Sequence, residues 1–153
     1  MHPAIALAGQ VMTEHTSTLM QFLEKRAELN HGIQLAGMLK QVTSQTTASI
    51  TEKQIEAVLS LTREAHQALN KNLNDYMDER KKFSGQYLTS TDPLFRAEMT
   101  AEIDNIDDRM KAIRREMEAL HRFSAEIITI LGQAGLDFVR DLAVPYSELR
   151  RIG

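Results

Sequence analysis

The chain contains no cysteine and no tryptophan among its 153 residues. Without cysteine there is no disulfide framework, no thiolate nucleophile and no zinc site built on sulfur ligands. The composition therefore suits a reducing compartment. Proline and glycine are also scarce, with three and seven residues, and aromatic residues make up only 5%. A sandwich or barrel needs many turns and β-branched or aromatic strands, so this composition favours helix.

Long hydrophobic runs are missing as well. No stretch reaches the roughly 18 apolar residues of a membrane span, and the run from Ile5 to Ala8 is shorter than the apolar region of a signal peptide. We expect a cytoplasmic protein, or one exported without a cleaved signal peptide. Neither sign of charge is in large excess, since 18 basic and 21 acidic residues give a formal net charge of −3. This balance provides no general attraction to nucleic acid or to a membrane, and neither is predicted as a partner.

The length and the apolar fraction of 42% are typical of one folded domain, which we place at residues 1–153. Pro3 fits the first turn of a helix, and a three-four repeat of mostly apolar positions follows it. The repeat predicts a first helix over residues 3–42, with His15 and Arg26 among its inward positions. The polar run 43–49 then predicts a loop.

Two further long helices follow. A capping box, formed by Ser49 with Glu52 or by Thr51 with Gln54, predicts the start of a second helix over residues 52–85. Asp92 and Pro93 predict the start of a third helix, over residues 93–142. The tail 143–153 contains Pro145, and a short fourth helix there is left open. The predicted fold class is all-α: a bundle of three long antiparallel helices with coiled-coil-like packing.

Charge order predicts how the second and third helices pair. A hairpin centred on the turn 85–92 would place Arg80 near Glu98 and Lys71 near Asp107. Opposite charges would then meet along the hairpin, which favours the antiparallel direction.

The sequence contains two Glu-x-x-His pairs, Glu28 with His31 and Glu118 with His121. Two such pairs on different helices, together with two further Glu residues, form the di-iron site of some helical bundles. The three-four repeat of apolar positions places Leu29 and Leu120 on the inward side of their helices, so both histidines face outward. We therefore predict no metal site and no cofactor. No phosphate loop or nucleophile elbow is present, and we predict that the protein is not an enzyme.

The C-terminal part of the third predicted helix is apolar on more than one side. We expect this part to extend beyond the end of the second helix from about Ile127 onward, so that its apolar side chains require another surface to pack against. The sequence therefore predicts a non-enzymatic protein–protein interaction module: an adaptor, an export chaperone or an assembly subunit that binds a protein partner or forms a homo-oligomer. The alternative is a bundle that binds a ligand or a metal through Glu and His residues. The predicted partner-binding residues are Phe123, Ile127, Ile128, Ile130, Leu131, Leu136, Phe138, Val139 and Leu142.

Overall fold

A computed structural model describes residues 2–25 and 30–144, and these residues form four α-helices. They are α1 (Pro3–Leu23), α2 (Asn30–Thr43), α3 (Glu52–Thr89) and α4 (Pro93–Gln133), with short 3-10 turns at Thr47–Ser49 and Arg140–Leu142. No strand occurs within these two ranges. The prediction of an all-α fold is confirmed, whereas the bundle contains four packed helices instead of three long ones.

The helix starts follow the capping residues in the sequence. Thr51 and Gln54 form a reciprocal capping box, with the Gln54 amide donating to Thr51 Oγ1 over 3.2 Å and the Thr51 amide donating to Gln54 Oε1 over 3.1 Å. Asp92 accepts from the Leu94 amide over 3.1 Å, and Pro93 opens α4. These bonds satisfy amides that have no partner within the helix, which places both starts as predicted.

The first predicted helix, 3–42, is wrong as one continuous element. The chain leaves the helix after Leu23 and resumes it at Asn30. A continuous helix would span about 60 Å at 1.5 Å per residue, about as long as α3 or α4. Folding back gives two shorter helices that bury apolar faces against each other and against α3 and α4. Residues 26–29, which include the predicted inward Arg26, lie outside the described residues.

The other two helices end elsewhere than predicted. Helix α3 continues past Gly85 to Thr89, whose hydroxyl donates to the Gly85 carbonyl over 3.0 Å. Helix α4 ends at Gln133 instead of 142, because Gly135 adopts a φ of 76°. The Leu136 amide then donates to the Leu131 carbonyl and the Gly135 amide to that of Gly132, the bonds of a Schellman cap. The short helix left open for the tail 143–153 lies almost wholly outside the described residues, which end at 144.

The four helices surround one core. Helix α1 packs against α2 and α4, and α3 packs against α2 and α4, so that the sequence neighbours form a closed ring. Helix α2 returns along α1, and the following segment places Ile50 and Thr47 against Gly9. One apolar cluster joins all four helices. Its largest fully buried members include Met12, Leu19, Leu35, Leu59, Ile113 and Phe123.

Helices α3 and α4 are about 57 Å and 62 Å long, whereas α1 and α2 are about 32 Å and 21 Å long. The fully buried positions of α3 stop at Leu73, and those of α4 that join the core begin at Ile106. Beyond these two residues α3 and α4 pair mainly with each other. We call this part, residues 74–105, the distal hairpin.

Candidate functional surfaces

The apolar segment predicted to bind a partner lies against this chain's own core. Phe123, Ile127, Leu131 and Val139 are 0–1% exposed. The other five predicted residues are half-buried and pack against the same cluster: Ile128, Ile130, Leu136, Phe138 and Leu142. Their role in partner binding stays a prediction, but uncovered apolar surface no longer motivates it.

Two neighbours supply the cover that the sequence argument missed. Helix α1 packs along α4, where the His15 ring lies 5.6 Å from the Phe123 ring. After the Schellman cap the chain turns back over the first turns of α3, and the Arg63 guanidinium donates to the Asp141 carbonyl. The prediction that α4 loses its intramolecular partners near Ile127 is therefore wrong. That prediction is based only on the pairing of α4 with α3.

The folded-back segment leaves an open cleft of about 550 Å³ beside α3. Its lining mixes both charges with apolar side chains: Lys53, Glu56, Ala57, Ser60, Phe138, Asp141 and Leu142. No polar group of the described lining is fully buried. The cleft is therefore a shallow surface depression without the enclosed, convergent polar groups of a small-molecule site.

Two histidine–carboxylate contacts join the short helices to the long ones. His15 Nε2 lies 2.7 Å from Glu126 Oε2 and connects α1 to α4. His31 Nδ1 lies 3.0 Å from Glu64 Oε2 and connects α2 to α3. All four side chains are partly exposed, so each contact contributes at most about 1 kcal/mol and orients the helices more than it stabilises them.

The two Glu-x-x-His pairs are not brought together in the described structure. Glu118 Oε1 accepts from Arg122 over 2.6 Å, and His31 contacts Glu64. Glu28 lies outside the described residues. Among residues 2–25 and 30–144 no group of three or more His, Asp or Glu side chains is placed to hold a metal ion.

Three polar side chains, Thr62, His66 and Ser124, are buried in the bundle, and sequence reasoning assigned none of them a role. The Thr62 hydroxyl donates to the Val58 carbonyl over 2.7 Å within its own helix. His66 lies one turn after Thr62 on α3 and is fully buried. The spacing of four between Thr62 and His66 places both on the inward side of α3. A pattern drawn from apolar residues alone does not include these two positions.

The seam of the distal hairpin is held by polar and aromatic contacts. Arg80 Nε donates to Asp107 Oδ1 over 2.7 Å. This hydrogen bond, together with the charges of Asp107 and Asp104, raises the pKa of Arg80 above its usual value despite some desolvation. Nearer the tip, the Arg96 guanidinium lies 4.2 Å over the Tyr87 ring.

These contacts confirm the antiparallel direction and correct the predicted register. Arg80 pairs with Asp107 instead of Glu98, a displacement of nine residues along α4. Part of the displacement follows from the length of α3. Because α3 runs to Thr89, the turn is centred near residue 91, which moves the facing positions by about four residues along α4.

The tip of the distal hairpin carries the most exposed large apolar side chains that the structure describes. Leu88 and Leu94 are each 77% exposed and lie on either side of the turn. Leu7 on α1 and Ile33 on α2 follow at 49% and 47%. The sequence pattern does not reveal this tip, because both leucines lie beside the boundary between two predicted helices, where no apolar stripe is expected.

No described helix combines the length and the apolar character needed to cross a membrane. Sequence and fold were compared with known proteins: no family model, curated protein or solved structure matches this chain.

Proposed function

We propose that this protein is a non-enzymatic protein–protein interaction module, an adaptor, an export chaperone or an assembly subunit, that contacts its partner through the distal hairpin. The observation that carries the proposal is the hairpin itself. It extends beyond the four-helix body and ends in Leu88 and Leu94, each 77% exposed. Burying a leucine side chain fully contributes about 1.5–3 kcal/mol, so a partner that covers this tip gains substantial binding energy.

The proposal moves the partner surface away from the segment 123–142. That segment is already covered by α1 and by the folded-back chain, and exposing it would break the core around Phe123. The distal hairpin contributes only partly buried side chains to that core, Tyr76, Met77 and Phe83, and its tip can be covered without any rearrangement of the body. Preformed surfaces of this kind bind with little conformational cost.

Site-specific photocrosslinking in the native cells tests the proposal. A photoreactive residue at Leu88 or Leu94 should form a crosslinked product of defined mass. The same residue at Leu7 or Ile33, which are exposed on the body, should not form it. Crosslinking from the body positions with equal yield, or no product from either tip position, would contradict the proposal. A product of twice the chain's mass would identify the partner as a second copy.

A further inference from the structure

The distal hairpin concentrates the aromatic residues of this chain. It contains four of the eight tyrosines and phenylalanines, namely Tyr76, Phe83, Tyr87 and Phe95, and all four are half-buried. Tyr76 and Phe83 pack against the edge of the apolar core, and all four rings leave part of their surface open to solvent.

Helical spacing places three of these rings on one side of the hairpin. On α3, Tyr76 and Phe83 share a stripe with Glu79, at spacings of three and four. On α4, the corresponding stripe runs through residues 95, 98, 102 and 109. The Arg109 guanidinium carbon lies 5.9 Å from the centre of the Tyr76 ring, so the two stripes belong to the same face.

The border of this face is predominantly acidic. Four carboxylates lie along it, at Asp75, Glu79, Glu98 and Glu102, and none of the contacts described above neutralises them. The basic side chains on the same side are Lys82 and Arg109. We call the surface formed by Tyr76, Phe83, Phe95 and these four carboxylates the acidic aromatic face.

A small depression on this face shows which kind of group fits it. It has a volume of about 260 Å³ and is lined by Asn72, Asp75, Tyr76 and Glu79. The chain's own Arg109 contacts the Tyr76 ring and hydroxyl from α4. The two carboxylates of the depression provide charge attraction for one further cationic side chain. Phe83 lies two helical turns further along α3, about 10 Å away, where it offers an apolar contact.

From this arrangement we infer that the acidic aromatic face binds an amphipathic helix of a partner protein, with a Lys or Arg side chain in the depression. An apolar residue about seven positions away in that helix contacts Phe83. Helices that bind in this way present their anchors at spacings of three, four and seven. The inference rests on the proposed function, because it assumes that the distal hairpin is the contacting element.

The basic run of α4 in a second copy of this chain fits the face less well than a separate partner helix does. The chain's basic run on α4 contains Arg109, Lys111 and Arg115, but the apolar residues between them are committed to its own core. Met110 is 6% exposed and Ile113 is 1% exposed. A docking helix drawn from this run would have charge but no available apolar anchor.

Fluorescence anisotropy with the full-length protein tests the inference. The probe is a labelled helical peptide of about 18 residues, five turns, with Lys and Leu on one face at a spacing of seven. Asp75→Asn with Glu79→Gln should weaken its binding about fivefold or more, and the loss should shrink as salt is raised. The matched control, Asp78→Asn with Asp108→Asn, removes the same charge at exposed positions off the face and should change binding by less than about twofold.

Four outcomes would overturn the inference. Equal weakening by both double variants would show general charge attraction, and equal binding of a peptide with Glu in place of Lys would exclude cation recognition. A shift from dimer to monomer on light scattering, caused by Asp75→Asn with Glu79→Gln alone, would assign the face to self-association. Photocrosslinking from Leu88 tests the hairpin separately. A partner crosslinked there without peptide binding would reject this inference and leave the proposed function standing.

Discussion

Gly135 ends α4 through a backbone conformation that other residues adopt at a cost. Its φ of 76° lets the Leu136 amide reach the Leu131 carbonyl over 2.9 Å, after which the chain turns back toward α3. An L side chain in this region costs about 1–2 kcal/mol, because its Cβ approaches a carbonyl oxygen. The glycine therefore decides where the last helix stops.

We predict that Gly135→Ala lowers the free energy of unfolding by about 1–2 kcal/mol in urea titrations. Gly132→Ala is the matched control: Gly132 lies within the last turn of α4, with no atom near the position of its added Cβ. That substitution should stabilise the protein by up to about 1 kcal/mol. Equal effects of the two substitutions would reject the cap.

Gly9 allows a close approach for a different reason. A Cβ at this position would overlap the Cδ1 atom of Ile50, which is buried between the end of α2 and the start of α1. The overlap involves the end of a flexible side chain, so part of it can be relieved by rotation. The remaining strain acts on the segment that connects α2 to α3.

Gly9→Ala should leave the protein less stable than Gly37→Ala by about 1–3 kcal/mol in denaturant unfolding. Gly37 lies on the exposed side of α2, with no atom near its added Cβ. Ile50→Val removes Cδ1, so it should cost less in the Gly9→Ala background than in the wild type. Additive effects of the two changes would show that Gly9 and Ile50 are not coupled.

At the scale of elements, the pairing of α3 with α4 depends on where the turn lies. Apolar residues recur along both helices in a heptad pattern, so a shift of one heptad would preserve the stripe. Specific contacts such as Arg80 with Asp107 distinguish one register from the next. The free energies of these contacts are small. They nevertheless select the register, because the contacts change from one register to the next while the buried apolar area stays similar.

A double-mutant cycle measures this register directly. Arg80→Ala and Asp107→Ala should show a coupling energy of about 0.2–1 kcal/mol, and it should fall as salt is raised. Arg80→Ala and Glu98→Ala should show none, because Glu98 lies more than two turns from Asp107 along α4. Coupling to Glu98 in place of Asp107 would restore the register predicted from charge order.

At the scale of the whole molecule, the four-helix body and the distal hairpin differ in what they bury. The body holds nearly all of the fully buried side chains, which come from all four helices. The hairpin holds half-buried rings, exposed leucines and charges. Stability is therefore expected to reside in the body, and the hairpin is free to serve as a contact surface.

Phe123→Ala should lower the free energy of unfolding by about 3–5 kcal/mol, because it leaves a cavity in the core of the four-helix body. Phe95→Ala, in the distal hairpin, should cost about 1 kcal/mol and leave the unfolding transition cooperative. Chemical denaturation followed by circular dichroism compares the two. A cost at Phe95 as large as that at Phe123 would show that the hairpin belongs to the stabilising core.

The sequence by itself determined the elements that depend on local physics. The capping residues Thr51 and Asp92 specify the starts of α3 and α4, and the three-four repeat specifies helix over strand. The inward faces also follow from the repeat, since Ile113, Met117 and Leu120 are all buried. These signals act within a few residues, so they can be recognised without knowing what lies opposite.

Only the tertiary structure decided which surfaces are covered and which remain open. The break after Leu23, the register of Arg80 on Asp107 and the folded-back segment after Gly135 each depend on residues far apart in the chain. Phe123 and Leu88 are both apolar residues of long amphipathic helices, yet one is fully buried and the other 77% exposed. The difference arises because α1 and α2 are too short to reach the distal hairpin, and no local pattern states how far a neighbouring helix extends.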